Sequence, residues 1–144
     1  MAGERILEGR TALVTGGGRG IGRSHALALA AAGAKVLVND IGEGDHSGGA
    51  GSGPVHDVVR EIVERGGRAV ADSTSVASWD GGRMVVEHAI EAFGDVDIVV
   101  NNAGVSLMAP IDRLAEADWQ RTVDINLTGP ASVMHHASAH WRHS

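Results

Sequence analysis

Apolar and polar positions alternate along this chain in blocks rather than residue by residue. Residues 11–15 form a short apolar run, followed by a glycine cluster and then an alanine- and leucine-rich segment over residues 20–32 that ends at Gly33. A run of that length bounded by glycine predicts a buried strand, and the longer segment predicts a helix with glycine at its C-terminal cap. The pattern then repeats. Residues 34–39 predict a second strand ending at Asp40, and residues 41–53 a loop rich in Gly, Asp and Ser. Pro54 suits the first turn of a helix through Arg65, which Gly66 and Gly67 close. Residues 68–71 predict a third strand, 78–93 a third helix and 96–100 a fourth, almost continuously apolar strand. From Ile111 the pattern is helical, with a turn expected near Thr128-Gly129-Pro130. Strands without polar alternation are buried on both faces, so regular strand–helix exchange indicates an α/β domain with a doubly wound parallel sheet. No other repeat is visible.

Composition narrows the classes that remain. The 144 residues suffice for one domain, 43% are hydrophobic and 21% charged, and no apolar run approaches a membrane span. A net charge of −6 argues against a general nucleic-acid binder. The chain has no cysteine, which excludes disulfides and thiolate metal sites; together with an N-terminus lacking an apolar h-region, this leads to the expectation of a cytoplasmic protein.

The candidate chemistry lies in Thr15-Gly16-Gly17-Gly18-Arg19-Gly20-Ile21-Gly22. Here a predicted strand turns into a predicted helix. Glycines let the backbone approach a ligand, and the unpaired N–H groups of the helix start favour a phosphate or pyrophosphate. Arg19 and Arg23 are expected to add positive charge. Asp40 follows Gly22 by 18 residues at the end of the second strand, where dinucleotide-binding folds place an acidic group on the adenosine ribose. A carboxylate there repels the 2′-phosphate of NADP, so NAD is the expected cofactor. Residues 17–24 also read G-x-x-x-x-G-R-S, near a P-loop with Arg23 in the lysine position. No later strand ends in a suitable magnesium-binding aspartate, which disfavours a nucleoside triphosphatase.

Thr15-Gly16-x-x-x-Gly20-x-Gly22, Asp40 and Asn101-Asn102-Ala103-Gly104 together resemble the classical short-chain dehydrogenase/reductase family from about Arg10 to the end. The resemblance implies a Rossmann-like sheet with strand order 3-2-1-4, incomplete in lacking strands five onward, in a single partial domain over residues 1–144. It implies NAD contacts from Gly16, Arg19, Gly20, Ile21, Gly22, Asp40 and Ile41, with Asn102, Ala103 and Gly104 beside the adenine ribose and the nicotinamide half. The family's adenine-contacting pair aligns with Thr74 and Ser75, with Asp72 two residues earlier as the alternative. Asn39-Asp40-Ile41-Gly42 and its glycine-rich loop further resemble a branch acting on hydroxyacyl-CoA and related substrates.

The family's chemistry uses Asn, Ser, Tyr and Lys. Asn126 matches the asparagine of the proton relay, whereas the sequence contains no tyrosine and its one lysine is Lys35, in the second strand. Three readings stay open: an oxidoreductase acting on a small alcohol or ketone once completed, a non-catalytic nucleotide-binding module, and an interaction module. An unpaired fourth strand would present an apolar edge, so self-association is expected. His136, His140 and His143 share a helical spacing with His135 adjacent, but no carboxylate or thiolate completes a metal set, and none is expected. His25, His46, His56 and His88 show no convergent pattern.

Overall fold

The computed structural model describes residues 5–42 and 51–143. Four strands, β1 (Thr11–Thr15), β2 (Lys35–Asn39), β3 (Arg68–Asp72) and β4 (Ile98–Asn101), form one parallel sheet in the order β3-β2-β1-β4. The helices are α1 (Gly20–Ala31), α2 (Pro54–Glu64), α3 (Trp79–Phe93), α4 (Glu116–Val123) and α5 (Gly129–Trp141). Residues 43–50 of the expected glycine-rich loop, including His46, lie outside the described residues.

The continuous apolar strands are explained by a core on each face of the sheet. Ala12, Val14, Val36 and Val38 point one way and pack with Ala26 and Ala30 of α1 and Val55, Val58 and Ile62 of α2. Leu13 and Leu37 point the other way, against Val85, Val86 and Ala89 of α3 and Val133 and Ala137 of α5. In register, Leu13 lies between Leu37 and Val99. Ser78 caps α3 by accepting the Gly81 N–H at 3.0 Å, and Gly94 ends it at φ +86°.

Two elements differ from expectation. The fourth strand begins at Ile98, not Val96, because Asp97 turns its carboxylate to the Thr11 N–H (2.7 Å) and to Arg10 (2.7 Å). No turn interrupts the chain at Thr128-Gly129-Pro130. Residues Asp124–Thr128 form a π-helical segment that joins α4 to α5. Pro130 has no N–H to donate, and the Gly129 N–H reaches back to the Asp124 carbonyl, so the helix widens instead of breaking.

Candidate functional site

The strands run parallel, so their C-terminal ends share one edge of the sheet. Between β1 and β4 the chain order reverses, and a crevice opens there. Thr15 and Asn102 build its floor. Thr15 Oγ1 accepts the N–H groups of Asn102 (3.2 Å) and Ala103 (3.1 Å). In return, Asn102 Nδ2 donates to the carbonyls of Thr15 (3.1 Å) and Gly16 (2.9 Å). The glycine turn is pinned to β2 as well: Gly17 N–H donates to the Asn39 carbonyl at 2.8 Å, and Gly18 N–H to Asp40 Oδ2 at 3.0 Å. Asp40 Oδ1 accepts from Gly42 N–H at 2.9 Å.

The glycines of this turn serve different ends. At Gly22 a Cβ would sit 2.1 Å from the Gly16 carbonyl oxygen and 2.4 Å from Asn102 Nδ2, so only glycine lets the helix start pack against the floor. At Gly20 nothing lies within 4 Å, but φ is +53°, a left-handed value that favours glycine. Arg19 occupies the N-cap without a side-chain cap bond, and the first turn of α1 holds no acidic residue. The helix start therefore faces its surroundings with open N–H donors and the positive end of its dipole.

The resulting cleft of about 240 Å³ brings together Gly16, Arg19, Asp40, Ile41, Ser75, Asn102, Ala103 and Gly104 of the sequence-derived set. Gly20, Ile21 and Gly22 form the adjacent helix start rather than the lining; Ile21 is 72% exposed and Gly22 is buried. Thr74 is turned away. Its N–H (2.9 Å) and hydroxyl (3.1 Å) donate to Asp72, and its carbonyl accepts from Asn39 Nδ2. Asp72 is itself buried beneath the cleft. Asn39, Val76, Ala77, Val105 and Ile125 also line the space. Asn39 was legible as a strand end, but the others carry no sequence signal for which way their loops face.

Asn126 lies exposed on the π-helical segment, next to the cleft-lining Ile125. Its Oδ1 accepts the Val105 N–H and its Nδ2 donates to the Val105 carbonyl, both at 2.8 Å. The widened turn thus aims the amide at the loop after β4, and Gly129 comes so close to Val76 that a Cβ would meet its carbonyl at 2.5 Å.

One further expectation is corrected. Arg23 does not supply charge to the cleft: its guanidinium pairs with Glu61 of α2, which also removes the group a P-loop would need. Lys35 begins β2 at the far end of the sheet, where Nζ donates to the Phe93 carbonyl at 3.1 Å. The histidines of α5 do not converge. His140 meets Asp95 at 2.6 Å, which holds the Asp95 carboxyl below its usual value, while His135 and His136 pack on the Trp79 ring. Among the described residues, no group of three His, Asp or Glu side chains is arranged to hold a metal.

A parallel sheet with this order, a glycine turn at its switch point and a carboxylate ending β2 defines a Rossmann-like α/β domain. The chain belongs to the short chain dehydrogenase family, which matches residues 10–144. It is 48% identical over 128 residues to the peroxisomal multifunctional enzyme type 2 of Drosophila melanogaster, covering 88% of this chain and 21% of that protein. The structure resembles that of a short chain dehydrogenase from Mycobacterium avium, with a TM-score of 0.88 and 44% identity over 96% of this chain and 48% of the other. A Burkholderia cenocepacia short chain dehydrogenase solved with NADP gives a TM-score of 0.83 and 35% identity, over 94% of this chain and 52% of that one. The chain thus spans between about a fifth and a half of these relatives. Among the described residues, no helix is long and apolar enough to cross a membrane.

Proposed function

We propose that this chain binds NAD in the cleft at the β1/β4 switch point, as the cofactor-holding part of an oxidoreductase of alcohol and carbonyl groups. The observation that carries this reading is the uncapped start of α1, free of acidic residues in its first turn and opened by Gly20 at φ +53°. Such a helix start fits a pyrophosphate. Asp40 and Ile41 at the end of β2 would take the adenosine ribose, with Ser75, carried by Thr74, beside the adenine. Asn102, Ala103 and Gly104 would flank the nicotinamide half, and Asn126 would hold the relay position that the family resemblance gives it. When bound, the nicotinamide supplies or accepts the hydride.

The preference for NAD rests on Asp40. Its carboxylate, anchored to Gly18 and Gly42, brings negative charge to the place where NADP carries its 2′-phosphate. Arg19 lines the same cleft, and a structural relative was solved with NADP, so NADP is the second reading. Titrations of both dinucleotides decide between them. NAD is expected to bind at least about tenfold more tightly, and Asp40→Ala to remove most of that difference. Tighter NADP binding by the unsubstituted chain would contradict the assignment.

These 144 residues contain no tyrosine, and Lys35 stands at the opposite end of the sheet. Without the tyrosine and lysine of the family's chemistry, the contribution of about 10²–10⁴ that proton transfer makes to the rate is expected to be lost. Taken alone, the 144 residues are expected to bind NAD without measurable turnover of an alcohol or ketone.

A further inference from the structure

Beneath the wall of the cleft formed by β2 and β3 lies a carboxylate with an unusual set of partners. Asp72 ends β3, and its side chain is only 5% exposed. Its Oδ1 accepts from Asn39 Nδ2 at 2.6 Å and from the Thr74 N–H at 2.9 Å. Its Oδ2 accepts the Thr74 hydroxyl at 3.1 Å and meets His88 Nδ1 of α3 at 2.7 Å. Burial pushes the Asp72 carboxyl up, but the bonds from His88, Asn39 and Thr74 outweigh it and hold the group below its usual value. A buried anion compensated on both oxygens is a rigid fixture.

What Asp72 holds is next to the cleft on two sides. Asn39 lines the cleft, precedes Asp40 and accepts the Gly17 N–H on its carbonyl. Its amide also ties to the Thr74 carbonyl at 2.8 Å, and Thr74 precedes Ser75, another lining residue. The Asp72 backbone carbonyl accepts the Asp40 N–H at 2.9 Å. On the opposite side, Asn102 to Val105 are fastened through Thr15 and Asn126 instead.

We infer that Asp72, backed by His88, is a positioning residue that sets the β2–β3 wall of the cleft and thereby the affinity for the adenosine half of a dinucleotide, leaving the nicotinamide half unaffected. The inference rests on the nucleotide reading above, in which the end of β2 takes the adenosine ribose.

The test is titration of AMP and of nicotinamide mononucleotide, followed by NMR, into the full chain and its Asp72→Asn and His88→Ala variants. Asp72→Asn places an amide where two donors now converge. It is expected to weaken AMP about tenfold while nicotinamide mononucleotide changes by less than about twofold. His88→Ala removes one partner of four and is expected to weaken AMP about threefold, with the same selectivity. Because the His88 side chain is 39% exposed, this variant carries the test if Asp72→Asn does not fold. A general loosening of the domain would weaken both ligands alike, and that result overturns the inference. So does unchanged AMP affinity in the variants. If the unsubstituted chain binds neither AMP nor NAD, the nucleotide reading falls first and takes this inference with it.

Discussion

Thr15 and Asn102 exchange hydrogen bonds across the ends of β1 and β4, and Gly22 is pressed onto the same spot by the start of α1. This crowding makes the glycines unequal. Gly22→Ala would drive a Cβ into the Gly16 carbonyl, so the turn must shift, and NAD affinity is expected to fall by more than about tenfold in a calorimetric titration. Gly20→Ala has open space and meets only the left-handed φ, with an expected stability cost of about 1 kcal/mol by urea denaturation. Equal effects would contradict the distinction. The motif residues Gly16, Asp40 and Asn102 to Gly104 were legible in the sequence because their spacing carries their chemistry. Thr74 and Arg23 were not, because a neighbouring carboxylate claims each of them: Asp72 takes the threonine and Glu61 the arginine.

At the scale of elements, the strands and helices of the sheet were legible from apolar runs and glycine stops. The unbroken helix through Thr128-Gly129-Pro130 was not, because a proline that usually ends a helix is absorbed here by a π-helical segment. That segment lets α5 continue and pack on α3, which half-buries His136 and leaves its buried Nε2 without a hydrogen-bond partner. Burial, and next the neighbouring His135, push the His136 pKa below 6.5. An imidazole held neutral in the fold binds its proton more readily when unfolded, so stability is expected to fall as the pH drops below about 6.5. His136→Phe should flatten that part of a stability–pH profile, whereas an unchanged slope would assign it to other groups. Leu37, fully buried between β-sheet and α3, should cost about 2–5 kcal/mol when cut to Ala.

Across the whole molecule, burial is uneven. β1 is fully buried, but β4 is half-buried along its length and stands at the edge of the described sheet. Met108 (94% exposed), Ile111 (85%) and Leu127 (66%) add apolar surface beyond it. In the 144-residue chain taken alone, a sheet edge with apolar neighbours is expected to associate, and light scattering at rising concentration should report dimers or larger species. A clean monomer at high concentration would contradict this. The cleft lies at the C-terminal ends of the strands, where the glycine turn, Asp40 and Asn102 meet. Its direct test is the backbone amide spectrum of the 144-residue chain during NAD addition. Saturable shifts centred on Gly20, Ile21, Gly22 and on Asn102 to Gly104 are the expected result. Saturable binding that leaves those amides unmoved, or no binding of either NAD or NADP, would contradict a dinucleotide site at the start of α1.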